Sequence, residues 1–304
     1  MRAMQRTCIR ARSTWCSKLV TLVAFSVAGV FASFDIRAQD IDAGPYVPTP
    51  QYIVDRMLQM ASVSGKDYVI DLGSGDGRIV ITAAKRFGAR GMGVDISEKL
   101  VDLAVTNAHK EQVTDRVKFV REDAFKTDIA PASVLTLYLL PKFVLDLRPK
   151  LLNELKPGSR IVSHDYSLGD WESDNSITFD SPEKEAINGA SQTSLFLYIV
   201  PAPVAGTWQL ALPEALGERN AQVSLQQRYQ RISGTTSGAR GKALRHAALR
   251  GDRIELSLPI GARDYLAAGR VRGDRIEGTV EVPGRGKLPF SATRIAAGTA
   301  VGWQ

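Results

Sequence analysis

Cysteine is nearly absent. The 304-residue chain has two, Cys8 and Cys16, and both lie before or at the edge of its one long apolar run. A chain cleaved after that run has no thiol, which excludes structural disulfides, cysteine-based zinc sites and thiol nucleophiles. No cysteine follows the run to carry a lipid. Histidine is scarce as well: of His109, His164 and His246, the first and last have no ligand-type neighbours in sequence, and no metal site is expected. The long apolar run itself, residues 19–34, is sixteen residues long and falls short of the ~20 needed to span a bilayer. With 44% hydrophobic and 23% charged residues, the chain reads as folded soluble protein, so neither wholesale disorder nor a polytopic membrane protein is expected.

The formal charge of +7 is unevenly distributed. Residues 1–38 hold six basic residues and one acid; residues 39–200 hold 18 and 23; residues 201–304 hold 15 and 8. The basic start, the apolar run 19–34 and the stretch Ile36-Arg37-Ala38 have the layout of an export signal, with cleavage expected before Gln39. An uncleaved membrane anchor is the alternative. Either reading exports the remaining chain, and the periplasm is the expected compartment. In the basic C-terminal third, the aromatics Trp208, Tyr229, Tyr265, Phe290 and Trp303 are scattered among 13 Arg and two Lys. A nucleic-acid reader favours basic and aromatic residues gathered together, so nucleic acid is not an expected partner. The basic face is read as a solvated surface, or as one that docks the acidic α/β part or an anionic envelope surface.

Two domains are expected after the signal (1–38): an α/β domain over 39–200 and an antiparallel β-rich domain over 205–304. In the first, short apolar strands alternate with helical patterns, which predicts a doubly wound, mostly parallel sheet. Thr49-Pro50 reads as a capped helix start, followed by an apolar face of Ile53, Val54, Met57, Leu58 and Ala61. Strands are expected at Tyr68–Leu72, up to Asp95, and over 117–120, 134–139, 160–164 and 195–200. Pro201-Ala202-Pro203 reads as a linker. Beyond it, period-two stretches alternate with glycine turns, and Gly251-Asp252-Arg253-Ile254-Glu255 returns as Gly273-Asp274-Arg275-Ile276-Glu277. Each Gly-Asp pair can reverse the chain as a two-residue hairpin loop, so an antiparallel β-meander forming a small barrel or half-barrel is expected.

The most informative stretch is Asp71-Leu72-Gly73-Ser74-Gly75-Asp76-Gly77-Arg78. A strand ends in an acid, turns through three glycines at every second position, and enters a helix. Glycines let a ligand lie against bare backbone, and a helix N-terminus favours negative charge. Asp95, at the end of the next strand, can accept both hydroxyls of a ribose. Asp123, followed by Ala124 after the third strand, can accept a bond from an adenine amine. A nucleoside cofactor is the reading on which these placements converge.

The motif acid-x-Gly-x-Gly-x-Gly resembles that of the seven-strand S-adenosylmethionine-dependent methyltransferases. Pro45-Tyr46-Val47-Pro48-Thr49-Pro50 and Glu154-Leu155-Lys156-Pro157-Gly158-Ser159-Arg160-Ile161-Val162-Ser163-His164, ending at Trp171, narrow the resemblance to the small broad-specificity protein-lysine methyltransferases of archaea and mitochondria. The match covers about residues 44–200. It implies a seven-stranded Rossmann-like sheet and S-adenosylmethionine as cofactor, held by Thr49, Asp71, Gly73, Ser74, Gly75, Asp76, Gly77, Asp95, Asp123 and Ala124. It also implies an entry segment that folds over the cofactor and brings Tyr46 to the acceptor. Tyr138, the expected catalytic residue, then lies beside the reactive methyl, with Leu139, Leu140 and Pro141. Tyr138-Leu139-Leu140-Pro141 replaces the Asn/Asp-Pro-Pro-aromatic motif of many amine methylases, so a clamp for a planar amide is not implied. His164 reads as a satisfied buried histidine. On a regular strand, adjacent His164 and Asp165 point to opposite faces, so at most one is expected at the site.

Three functions remain open on the sequence: an exported methyltransferase of protein lysine, a methyltransferase of a small molecule or lipid, and a binding protein that retains the cofactor fold without turnover. The third is motivated by the cytosolic origin of S-adenosylmethionine.

Overall fold

The computed structural model describes residues 46–217, 220–236 and 241–303; the expected export signal lies outside them. The chain enters through α1 (Gln51–Met60), which buries Ile53, Val54, Met57 and Leu58 as one face. Thr49 does not cap it. Pro50 precedes the first turn without any side-chain cap, and Thr49 turns its hydroxyl towards His164. The elements that follow are β1 (Tyr68–Leu72), α2 (Arg78–Phe87), β2 (Arg90–Asp95), α3 (Glu98–Lys110), β3 (Val117–Arg121), β4 (Val134–Leu137), α4 (Pro141–Glu154), β5 (Arg160–His164), β6 (Asn175–Asp180), α5 (Pro182–Asn188) and β7 (Gln192–Ile199).

These strands form a seven-stranded sheet in the order β3-β2-β1-β4-β5-β7-β6, with β1 to β5 parallel and β7 antiparallel to both its neighbours. Alternate residues feed two cores. Val69, Val134 and Val162 pack with α1 and α2, while Ile70, Leu135 and Ile161 pack with α4. Burial on both faces explains why the central strands are apolar on both sides over most of their length, with Asp71, Thr136, Ser163 and His164 near their carboxyl ends. In sheets of this kind ligands bind outside the carboxyl ends of the strands, where the order reverses. Here that point lies between β1 and β4, beside the glycine loop and Tyr138.

A second, antiparallel sheet comprises β8 (Gly206–Ala211), β9 (Asn220–Arg228), β10 (Arg231–Thr236), β11 (Ala247–Arg250), β12 (Arg253–Ile260), β13 (Arg263–Arg272), β14 (Arg275–Val282) and β15 (Gly286–Ala297). Its order is β10-β9-β8-β15-β14-β13-β12-β11. Leu244 N donates to Gly234 O at 2.9 Å and Thr235 bridges Ala243, so the two edges nearly close an up-and-down barrel. Trp208, Leu210, Val223, Ile254, Leu256 and Val280 help fill its interior, as side chains fill other barrels of eight strands. The repeat is two copies of one turn. Gly251 and Gly273 have φ of +61° and +59° as the first central residue of a two-residue hairpin loop, the position that a type II′ turn reserves for glycine.

Both sheets belong to one compact unit. The connection between them is buried at Ala202, Val204 and Ala205. The Gln227 amide satisfies its backbone, donating to Ala202 O at 2.9 Å and accepting from Val204 N at 2.6 Å. The β9–β10 turn inserts Tyr229 into the α/β core. Its ring lies parallel to that of Trp171 at 5.6 Å, and its hydroxyl donates to Asp170 at 2.8 Å. Arg228 pairs with Asp170, and Arg231 with Glu172. Part of the barrel's basic charge is thus neutralised by acids of the α/β part. The β11–β12 turn meets Gly158, just before β5, whereas His164 ends that strand. The barrel and the edge that carries the glycine loop therefore lie at opposite ends of the sheet.

Candidate active site

The carboxyl-terminal edge of the sheet gathers the glycine loop and its neighbours. Gly73 N and Ser74 N both donate to Val94 O at 2.8 Å, which fixes the loop against β2. Gly73, Gly75 and Gly77 have φ of +78°, +55° and +80°. A β-carbon at Gly73 would overlap Leu139, at Gly75 the ring of Tyr46, and at Gly77 Phe119 with Ala104. The first two glycines face site side chains; the third allows close packing of α2 against β3 and α3. Ser74 is buried, and its hydroxyl has no hydrogen-bond partner.

Asp95 accepts Gly75 N on one carboxylate oxygen and Ser97 N on the other, both at 2.9 Å. Each oxygen retains a lone pair for a ribose hydroxyl. Asp71 is buried and accepts the Thr136 hydroxyl at 2.6 Å. Burial pushes its pKa up to about 7; the Thr136 bond opposes this, and Asp95 and Asp76 add to it. Because the folded pKa lies above the usual carboxylate value, stability falls as pH rises from about 4 to 7 and is level above that. Holding the proton up to about pH 7 corresponds to roughly 4 kcal/mol. Asp71→Asn is therefore expected to gain stability over the native chain across that window, read from thermal melts at pH 4, 6 and 8. A constant difference across the series would mean that Asp71 ionises freely in the fold.

Asp76 faces Arg78, whose Nε and Nη2 donate to it at 2.8 and 2.6 Å. Although burial opposes it, this pairing holds the Asp76 carboxyl below its ordinary range. Arg78 Nη1 also donates to Thr49 O at 2.7 Å, so it ties the entry segment to the glycine loop. Tyr46 lays a half-exposed ring over Gly75. Asp123 accepts Phe125 N at 2.9 Å and so shapes the turn after β3, and Ala124 packs against the core behind it.

The strand expected over 134–139 stops at Leu137, which frees Tyr138 and Leu139 to turn into the edge. Leu139 covers Gly73, while Leu140 and Pro141 are exposed at the lip, Pro141 as the first residue of α4. The Tyr138 ring stacks on His164 with centroids 3.9 Å apart, and its hydroxyl faces Asp165 and Asn188. Burial, with Asp165 adjacent, raises the pKa of this phenol. His164 is fully buried, and its Nδ1 lies 3.4 Å from the Thr49 hydroxyl, but its Nε2 has no hydrogen-bond partner, so it is not the satisfied histidine expected from the sequence. Burial pushes its pKa down to about 4, aided by Lys184 and opposed by Asp165, so the imidazole is neutral at pH 7.

Strand alternation does not separate His164 from Asp165. Asp165 is one residue past the strand, at φ +63°, and both residues approach Tyr138. Lys184 and Asn188 are site residues that sequence reasoning missed, as is the clamp role of Arg78, whereas Asp165 is set against His164 as an alternative by the sequence and the structure brings both. Lys184 and Asn188 lie in a seven-residue helix without apolar periodicity, so only Arg78, inside the glycine motif, carried a usable signal.

The cradle fits a nucleoside cofactor: two glycines whose β-carbons would fill it, an acid with free lone pairs, and an unpartnered buried hydroxyl. With the strand order 3-2-1-4-5 and its antiparallel β7, these features define a Rossmann-like, class I methyltransferase. The model of the ANTKMT methyltransferase domain family matches residues 71–175. A protein-lysine N-methyltransferase of Saccharolobus islandicus is 41% identical over 157 residues, 51% of this chain and 93% of the relative. The adenine nucleotide translocase lysine N-methyltransferase of Mus musculus is 35% identical over 130 residues, 42% of this chain and 56% of its own. Among solved structures, an RNA methyltransferase of Salinibacter ruber in complex with S-adenosyl-L-homocysteine is 43% identical, covering 52% of this chain and 96% of its own, with a TM-score of 0.47. The chain belongs to the protein-lysine N-methyltransferase family, and S-adenosylmethionine is its cofactor.

Proposed function

We propose that the protein transfers methyl groups to lysine amines of other proteins, the amine entering beside Tyr138. The observation that carries this reading is the phenol at the end of β4, stacked on a neutral imidazole next to the residue that covers Gly73. When bound, S-adenosylmethionine supplies an electrophilic methyl on a sulfonium, which becomes a neutral thioether as the carbon–sulfur bond breaks and the carbon–nitrogen bond forms. The protein's share is alignment and exclusion of water. A free lysine has a pKa of ~10.4 and must lose its proton to water first; the apolar, aromatic wall of Tyr46, Leu139 and Tyr138 favours the neutral amine. The Tyr138 hydroxyl can then accept an N–H of the amine and leave its lone pair facing the methyl.

Tyr138→Ala is expected to lower turnover more than cofactor affinity, since Tyr138 meets the amine rather than the adenosine. Isotopically labelled cofactor with mixed envelope protein measures the first, and calorimetry the second. Equal losses in both would place Tyr138 at the cofactor instead. We place the reaction in the periplasm on the strength of residues 1–38; N-terminal sequencing of the cellular protein should find Gln39 first, and an intact start in the cytosolic fraction would contradict it.

A further inference from the structure

Asp165 is a non-glycine residue in the left-handed region, at φ +63°, a conformation that persists only where the surroundings enforce it. Here they do. Its carboxylate accepts Ser194 N at 3.2 Å and pairs with Lys184 Nζ at 2.6 Å. Lys184 is itself buried, 4% exposed, in α5, and its Nζ also donates to Gln192 O at 2.6 Å. Lysine is rarely buried so completely, and a buried ion pair often stabilises a fold no better than packed apolar residues would. The pair therefore calls for a reason beyond stability, and its position beside the Tyr138 hydroxyl supplies one.

We propose that Lys184 is a positioning residue for methyl transfer: by pairing with Asp165 it leaves the wall around the Tyr138 hydroxyl without net charge, so that an entering lysine is not held as its ammonium. The inference rests on the lysine-acceptor reading above. Asp165 orients the phenol by accepting a hydrogen bond from its hydroxyl, but an uncompensated carboxylate there would favour the charged form of any amine bound to Tyr138. The charged form has no lone pair with which to take the methyl. The other groups that face the phenol do not supply the missing charge. His164, from β5, is neutral, and neither Tyr166, from the loop after β5, nor Asn188, from α5, brings a cation. Among these described groups, Lys184 is the one cation.

The test compares the native protein with Lys184→Met and with the double variant Asp165→Asn/Lys184→Met. One readout is the titration of His164 by NMR of carbon-13-labelled histidine. It needs no acceptor, because the His164 Nε2 lies 3.6 Å from the Asp165 carboxylate. The other is the pH profile of kcat, which reports groups in the bound complex, with reduced, carboxymethylated lysozyme as the lysine probe. Lys184→Met should raise the His164 pKa and move the ascending limb of kcat to higher pH, by about one to three units. The double variant should restore both, which also separates the electrostatic effect from a folding defect. An unchanged His164 titration in Lys184→Met, or a double variant as displaced as the single one, would overturn the proposal. If His164 shifts as expected while the native protein leaves lysozyme unlabelled, the result supports the ion pair and counts against the lysine acceptor.

Discussion

Gly75→Val is expected to abolish S-adenosylmethionine binding, with affinity falling about a thousand-fold or more. The residue sits at φ +55°, where a β-branched side chain is strained, and its β-carbon would occupy the space between the loop and the ring of Tyr46. The same change would pull Gly75 N from Asp95 and so disturb the carboxylate meant for the ribose. Asp95→Ala is the milder companion. Losing hydrogen bonds to a charged group costs about 1.5–3 kcal/mol, roughly 10- to 150-fold in affinity. Calorimetric titration of the folded variants reads both losses. Native affinity in both variants would remove the cofactor from this loop.

Tyr229→Ala is expected to destabilise the whole described fold by about 3–5 kcal/mol, the usual cost of truncating a buried aromatic residue. Tyr229 is 3% exposed, stacks on Trp171 and bonds to Asp170, and it does so from a turn that holds it at φ +52°. Its packing partners lie in the α/β core and its backbone in the barrel, so the two sheets should unfold together. Urea unfolding, followed by fluorescence and by cofactor affinity, should show a single transition displaced to lower urea. Two separated transitions, with affinity retained through the first, would mean that the sheets are independent units.

What could be read from the sequence divides along physical lines. The central strands and the glycine loop were legible because burial on both faces demands mostly apolar residues, and because left-handed turns demand glycine. The barrel's hairpins were legible for the same reason at Gly251 and Gly273. The cap assigned to Thr49 was not realised, because a distant partner, His164, takes the hydroxyl that local pattern assigns to the helix. β6, with only partial burial on alternate residues, and the short α5 carry almost no periodic signal. The acceptor wall suffers most from this. Lys184 meets Asp165 across nineteen positions, and Asp165 escapes the alternation rule by leaving the strand one residue early. Tyr229 was visible only as a scattered aromatic, since nothing local announces a side chain that will cross into another core.

The identity of the methylated atom tests the central claim most directly. Envelope protein labelled by the native enzyme and methyl-labelled S-adenosylmethionine can be hydrolysed completely in acid and its amino acids separated. The account predicts label co-eluting with methylated lysines, and its loss when Asp95 is replaced by Ala at limiting cofactor. Label confined to a lipid or small-molecule fraction, or recovered from protein on a residue other than lysine, would contradict it.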